Sequence, residues 1–198
     1  MAEIQTYIRI ACEGEKTEPN YFNEFLKAKG IKQANMAFKP KDNSPLGVAR
    51  AAKDRYNEAK KLKIPKEKIF VWAVFDRDGH AGVKEAIGLL KDTPIGIAFS
   101  NVCFEYWILL HFEKTSKAFT NCDEIIKHII ENHDSNYAKS NDNYNKLKSK
   151  IQVAIDNANW LKKTIWRDEE RHICDLNPYT DVQLIFESLL EREIIKNI

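Results

Sequence analysis

Hydrophobic residues in the first half of the chain fall into short runs, and segments with helical spacing separate them. Along residues 6–12, the side chains at positions 7, 9 and 11 alternate with the apolar side chains at positions 8, 10 and 12. The alternation ends at a Glu-Gly pair and predicts a first strand. Residues 69–75, which read IFVWAVF, are apolar throughout, as in a strand buried on both faces of a parallel sheet. Shorter apolar runs at 36–38 and 95–99 predict two further strands.

Helical segments are predicted between these strands. Pro19 fits a first helical position, and apolar residues continue at helical spacing up to Gly30. Ser44 and the proline after it can cap and start a second helix, which should run to about Leu62. A third helix is expected over residues 82–91. This alternation predicts an α/β fold with a mainly parallel sheet and flanking helices.

The second half of the chain contains mainly helical patterns. Residues 104–112, which read FEYWILLHF, are apolar on nearly every side and predict a buried helix. Further helices are expected over residues 121–131, 143–160 and 181–193. We therefore expect an α/β core over residues 1–112 and a helical C-terminal extension over residues 113–198 that packs on it.

The composition excludes disordered and fibrous proteins, since 43% of the 198 residues are hydrophobic and 30% are charged. No apolar run approaches the roughly 18 residues that span a bilayer, and acidic residues stand where a signal peptide would be basic. We expect a soluble, cytoplasmic protein without a membrane partner. The four cysteines form no C-x-x-C pair, which predicts reduced, buried thiols rather than a disulfide framework or a zinc site.

The net charge of +2 hides an uneven distribution. Residues 44–69 hold eight basic against three acidic side chains, and residues 143–167 hold six against one. Residues 168–198 reverse the balance, with eight acidic against three basic side chains. The two basic stretches are compatible with a polyanionic partner such as nucleic acid, and also with ordinary solvated helix faces.

Three carboxylates follow the ends of predicted strands, where open α/β sheets place their ligands. Glu13 ends the first strand, and Asp76 and Asp78 end the most hydrophobic one. The two aspartates project to the same side because they are two residues apart, and Glu15 could join the group. Crowded carboxylates repel one another, and oxygen ligands favour Mg²⁺ or Mn²⁺ over zinc. A simple turn after a strand explains the Asp-x-Asp-Gly segment as well.

Glu105 interrupts the apolar run at 104–112. A buried carboxylate is paired, metal-bound or neutralised, so Glu105 is either a fourth metal ligand or the partner of an Arg or Lys. Lys16 and His80 stand beside the acidic turns. They are candidates for contact with phosphate and for acid–base chemistry, although a solvated lysine and a structural histidine fit the same positions.

The same residues belong to motifs that resemble a known family. The Glu-Gly at 13–14 and the Asp-x-Asp at 76–78 resemble the signature of the Toprim domain. More closely, four segments resemble the RloB-like family: CEGEKTEPNYF at 12–22, VWAVFDRD at 71–78, SNVCFEYWILLHF at 100–112 and NPYT at 177–180. The resemblance implies a Toprim-like fold in which Glu13 is the catalytic glutamate and Asp76 and Asp78 bind Mg²⁺. Glu105 lies in a motif of the RloB-like family.

The resemblance further implies a role in bacterial restriction or anti-phage defence beside an ATPase partner, where related Toprim effectors act as nucleases. We interpret the chain as a nuclease dependent on Mg²⁺ or Mn²⁺, acting on DNA or RNA, with Lys16, Arg77 or His80 stabilising charge at the phosphate. Two alternatives stay open: a non-catalytic subunit that binds a metal and a nucleotide or nucleic acid, and a scaffold. The apolar second half is compatible with a homodimer or an ATPase interface.

Contacts to the nucleic-acid backbone are expected from basic residues in the two positively charged stretches, namely Arg50, Lys53, Lys146, Lys150 and Lys162. Such contacts are independent of sequence and weaken as the salt concentration rises.

Overall fold

A five-stranded sheet forms the centre of the computed structural model, which describes residues 6–31, 36–77, 82–167 and 170–198. Its strands are β1 (Tyr7–Cys12), β2 (Ala37–Phe38), β3 (Ile69–Asp76), β4 (Gly96–Asn101) and β5 (Tyr179–Thr180). They lie in the order β2-β1-β3-β4-β5. The first three pairings are parallel, and the pairing of β4 with β5 is antiparallel. The predicted α/β fold with a mainly parallel sheet is confirmed.

Helices cover both faces of the sheet. They are α1 (Thr17–Ala28), α2 (Pro45–Lys61), α3 (Val83–Leu90), α4 (Glu105–Leu110), α5 (Cys122–Asn132), α6 (Asn143–Leu147), α7 (Ile151–Trp160) and α8 (Gln183–Glu191). Helix α2 starts as the sequence predicts, with Oγ of Ser44 accepting a hydrogen bond from the amide of Gly47 and a proline at the first helical position.

Alternate residues of each strand face two separate hydrophobic cores. In β3, Phe70, Trp72 and Val74 face one core, which also holds apolar side chains of α1 and of α4 to α8. The intervening residues of β3 face the second core, against α2 and α3. The sheet is therefore the middle of three layers, and its carboxyl-terminal edge is left open between the helices.

The helix predicted over residues 143–160 is interrupted, so its continuity was a wrong prediction. Helix α6 ends at Leu147, a 3₁₀ turn covers Lys148–Lys150, and α7 begins at Ile151. The two helices have different neighbours, because α6 packs on α1 whereas α7 packs on α4. The sequence pattern showed apolar residues on one face but not that this face meets two neighbours.

Strand β5 comes from the C-terminal part of the chain and was not predicted. It has two residues, too few for a periodic pattern, and pairs Thr180 with Ser100 and Tyr179 with Asn101. One hydrophobic core contains residues from both sides of position 112, including Trp107 and Phe186, whose rings stack. The part after residue 112 thus completes both the sheet and its core.

The expectation that all four cysteines are reduced is corrected by a disulfide between Cys103 and Cys122. The two residues are 19 positions apart in sequence, but the turn before α4 packs against the start of α5 and brings their Cα atoms to 5.8 Å. Cys12 and Cys174 are free and buried. Within the described ranges, no helix has both the length and the apolarity to cross a membrane.

Candidate active site

The open edge of the sheet holds a cleft with a volume of about 470 Å³ at the carboxyl ends of β1 and β3. Its lining contains an excess of acid. Among the described residues, five carboxyl groups line it, those of Glu13, Glu15, Glu18, Asp76 and Glu105. The structure therefore brings together Glu13, Asp76 and Glu105, which are far apart in the sequence.

Glu13 joins the ends of the two central strands. Its backbone amide donates to the carbonyl of Val74 at 3.0 Å, and its Oε2 accepts from the amide of Asp76 at 2.9 Å. Its carbonyl accepts from Nδ2 of Asn43 at 3.3 Å. Glu13 is 8% exposed, so its carboxylate is held inside the cleft by the strand geometry.

Asp76 has one satisfied and one unsatisfied carboxyl oxygen. Oδ2 accepts from the amide of Phe104 at 3.1 Å, at the turn before α4. The residue as a whole is half-buried, yet Oδ1 is inaccessible and has no hydrogen-bond partner among the described residues. Burial, reinforced by the charges of Glu18, Glu13 and Glu105, raises the pKa of Asp76 well above its ordinary value. The site is electrostatically incomplete without a proton or a cation.

Glu105 begins α4 and is 2% exposed. Its Oε2 lies 3.5 Å from Nζ of Lys139, and its Oε1 accepts from Oη of Tyr137 at 3.4 Å. Sγ of Cys122, which is oxidised and has no proton to donate, lies 3.0 Å from Oε2. Burial raises the pKa of Glu105, and Lys139 opposes that rise. Glu105 thus forms a salt bridge with Lys139, and its carboxyl group also lines the same cleft as Asp76.

Glu18 was missed by the sequence analysis, which began the first helix at Pro19 and left Glu18 in the preceding loop. The helix begins at Thr17, so Glu18 lies in its first turn and is 5% exposed. Its Oε1 accepts from the amide of Gly14 at 3.1 Å, and a Cβ at Gly14 would collide with this carboxylate. Burial raises the pKa of Glu18 to about 7, and the charge of Glu105 contributes. An acid four residues after the Glu-Gly turn was the available signal.

The basic residues near the cleft divide into two groups. Lys16, predicted to contact phosphate, lines the cleft together with Lys39 and Lys139. Arg77 follows Asp76 directly but donates to the carbonyl of Cys174 and lies 3.8 Å from Oδ1 of Asp175, outside the cleft lining. The predicted site residues Asp78 and His80 lie outside the described residues.

A comparison with protein families gives the chain an identity. The family model described as RloB-like protein matches residues 8–189. The chain belongs to the RloB-like family. This RloB-like segment contains every described residue that lines the acidic cleft, from Glu13 to Lys139. No curated protein matches the chain, and no solved structure matches it either.

The candidate nucleic-acid contacts of this RloB-like chain lie on opposite faces of the sheet. Arg50 and Lys53 are exposed on α2, which packs on the side of α3. Lys146, Lys150 and Lys162 lie in or beside α6 and α7, on the other side. Lys146 pairs with Asp134 at 3.1 Å, Lys162 with Asp181 at 2.6 Å, and the Nζ of Lys150 lies 4.8 Å from the ring centroid of Phe112.

Proposed function

We propose that this RloB-like chain hydrolyses nucleic-acid phosphodiesters at the acidic cleft, using Mg²⁺ or Mn²⁺, as part of bacterial anti-phage defence. One observation carries the proposal: Oδ1 of Asp76 is buried and unpartnered beside the carboxyl groups of Glu13, Glu18 and Glu105. Such an arrangement is costly unless a proton or a cation neutralises it. The resemblance to the Toprim signature supports assigning this need to a divalent metal.

The donor set fits a hard divalent cation. The candidate ligands of the described cleft are carboxylate oxygens, which suit Mg²⁺ and Mn²⁺. Glu13 and Asp76 would hold the ion, and Asp78 and Glu105 remain predicted ligands. When bound, such a cation supplies positive charge that stabilises the negative charge developing on a phosphodiester.

The chain's own residues would position the substrate around this group. Lys16 and Lys39 line the cleft and would draw an anionic phosphate towards its acidic floor. The hydrogen bond from the amide of Asp76 to Oε2 of Glu13 fixes the catalytic glutamate relative to β3. The amide of Phe104 fixes Oδ2 of Asp76 in the same way. Oδ1 of Asp76 is left without a hydrogen-bond partner among the described residues. A rigid sheet edge thus pre-orients both carboxylates.

A specific contact favours a second candidate function, a non-catalytic metal- and nucleic-acid-binding subunit of an ATPase-containing defence complex. Nζ of Lys139 lies 3.5 Å from Oε2 of Glu105 and so already neutralises one candidate ligand. In this second function the cleft binds a metal and nucleic acid but does not cleave the nucleic acid.

Cleavage assays test both functions. Purified protein would be incubated with labelled DNA and with total tRNA, in Mg²⁺, Mn²⁺ or EDTA. We expect cleavage that requires metal and is abolished in Glu13→Gln and Asp76→Asn. Asp54→Asn, at an exposed site on α2, is the matched control and should retain full activity. Metal-dependent binding without cleavage would favour the second function, and cleavage that survives in both cleft variants would overturn the first.

A further inference from the structure

A second group of metal-ligating side chains lies at the ends of α4 and α5. Glu113 follows α4, His128 lies near the end of α5, and His133 directly follows the last residue of that helix. One ligand atom from each of the three residues lies within 4.8 Å of those of the other two. The described lining of the acidic cleft does not include them, so the group is separate from that cleft.

The carboxyl group of Glu113 bridges the two imidazole rings. Its Oε1 lies 3.1 Å from Nε2 of His128, and its Oε2 lies 3.1 Å from Nε2 of His133. Two ligands of a tetrahedral zinc ion, each about 2.0–2.2 Å from the metal, lie roughly 3.3–3.5 Å apart. The nitrogen–oxygen distances in the cluster are thus close to those between two ligands of one zinc ion.

Packing orients both rings. Each histidine side chain is only 18% exposed. The ring of His133 stacks on Phe112 with the centroids 5.2 Å apart, and the ring of His128 lies edge-on to Phe119 at 5.6 Å. The amide of His133 donates to the carbonyl of Ile129 at 2.9 Å, so the end of α5 holds its backbone. An ion that binds here orders little that is not already ordered.

The cluster joins the same two helices as the disulfide, but at their other ends. Cys103 precedes α4, and Cys122 is the first residue of α5. Glu113 follows the end of α4, and the histidines lie at the end of α5. An ion bound by all three would connect the ends that the disulfide does not, and its binding energy would stabilise the fold.

Two donors beside His128 determine where its ring proton lies without metal. Nδ1 of His128 is 3.3 Å from Nδ2 of Asn132 and 3.5 Å from Nζ of Lys117. The proton is therefore assigned to Nε2, which donates to Glu113. An ion at Nε2 displaces this proton, and the exposed side chains of Asn132 and Lys117 then turn away from Nδ1. Lys117 thus opposes the binding of a cation.

We propose that His128, His133 and Glu113 bind Zn²⁺, with a fourth coordination position left to water. Two imidazole nitrogens and one carboxylate oxygen form a ligand set known from zinc sites with an open position. Nitrogen ligands favour Zn²⁺ over Mg²⁺ and Mn²⁺, which suit the carboxylates of the acidic cleft. The proposal does not depend on nuclease activity.

Zinc titration of the full chain tests the proposal. The protein would be treated with EDTA, dialysed, and titrated with Zn²⁺ in competition with a chromogenic chelator. Every protein in the series carries Asp76→Asn, which removes a proposed ligand of the acidic cleft. Reductant is omitted, so that Cys103 and Cys122 stay oxidised and offer no thiolate to the metal.

The ligand variants are His133→Gln and Glu113→Gln. Glutamine at 113 keeps an oxygen that accepts from an imidazole, so this variant preserves the local contact if His133→Gln disturbs it. The matched control is His172→Gln, the same change at an exposed histidine outside the cluster. Melting temperatures in EDTA verify that each protein folds.

We expect the Asp76→Asn protein to bind one equivalent of Zn²⁺ that excess Mg²⁺ does not displace, and Zn²⁺ to raise its melting temperature. His133→Gln and Glu113→Gln should each weaken zinc binding at least about tenfold. His172→Gln should stay within about twofold. Lys117→Gln should tighten binding about threefold, because it removes a like charge beside the ion.

Four results would each overturn the proposal. They are no zinc binding by the Asp76→Asn protein, undiminished affinity in either ligand variant, a loss in His172→Gln as large as that in His133→Gln, and weaker binding in Lys117→Gln. Since the whole series lacks the Asp76 carboxylate, none of these results bears on the metal site proposed for the acidic cleft.

Discussion

Replacing Glu18 with glutamine should stabilise the metal-free protein at alkaline pH. The side chain is buried beside Asp76 and Glu105, and burial raises its pKa to about 7. Glutamine removes the charge and keeps an oxygen that can accept from the amide of Gly14, as Oε1 of Glu18 does. The substitution therefore changes the electrostatics of the cleft while it preserves the local hydrogen bond.

The magnitude follows from proton linkage. From pH 4.5 to about 7, the folded chain holds the proton of Glu18 more tightly than the unfolded chain, so the stability falls as the pH rises through this window. Above pH 7 Glu18 is ionised in the folded chain, and the full cost of burying its charge lowers the free energy of unfolding. This cost is on the order of 3 kcal/mol for a pKa moved from 4.5 to about 7. Glu18→Gln should thus increase the free energy of unfolding by about 3 kcal/mol at pH 8 and by only about 1 kcal/mol at pH 5.

Urea unfolding in EDTA, followed by tryptophan fluorescence from pH 5 to 8, measures both gains. Glu24→Gln is the matched control, on the same helix but with its side chain paired to Lys27 at the surface, and should change the stability by less than about 0.5 kcal/mol. An advantage of Glu18→Gln that is absent at pH 8, or equal at pH 5 and pH 8, would refute the assignment of a buried, neutral carboxyl group.

Three further changes have defined outcomes. Asp76→Asn should raise the metal-free melting temperature at alkaline pH, because burial and the charges of Glu18, Glu13 and Glu105 oppose ionisation of Asp76, and should abolish stabilisation by Mg²⁺ in thermal melts. Reducing the Cys103–Cys122 disulfide should lower the free energy of unfolding by about 3 kcal/mol for a separation of 19 residues, and a reductant should have no effect on the double alanine variant in urea titrations. Lys139→Met should destabilise the protein by about 1 kcal/mol at pH 8, since it leaves Glu105 unpaired, and adding Glu105→Gln should restore stability in a double-mutant cycle.

The sequence predicted the sheet well because its strands carry strong local signals. The apolar run of β3 and the helix start at Ser44 are set by neighbouring residues, and both match the structure. The break at Lys148–Lys150 and the strand β5 depend on which distant elements they meet, so no local pattern reveals them. The same holds for the disulfide.

The residues of the candidate site also differ in whether a local sequence pattern reveals them. Glu13, Asp76 and Glu105 were predictable because each interrupts or ends an apolar run. Lys139 was not, since it lies in a polar segment that resembles a simple connection. Its place is fixed by tertiary contacts: its carbonyl accepts from Oγ1 of Thr17, and its ammonium reaches Glu105. Sequence reasoning thus found Glu13, Asp76 and Glu105 but missed Glu18 and the lysine that pairs with Glu105.

The central claim is that the acidic cleft binds a divalent metal through Asp76, and a Mn²⁺ titration monitored by electron paramagnetic resonance tests it most directly. Wild-type protein and the surface control Asp54→Asn should each remove Mn²⁺ from the free pool, with competition by Mg²⁺. Asp76→Asn should leave that Mn²⁺ free. Equal Mn²⁺ binding by Asp76→Asn and wild type would contradict the account.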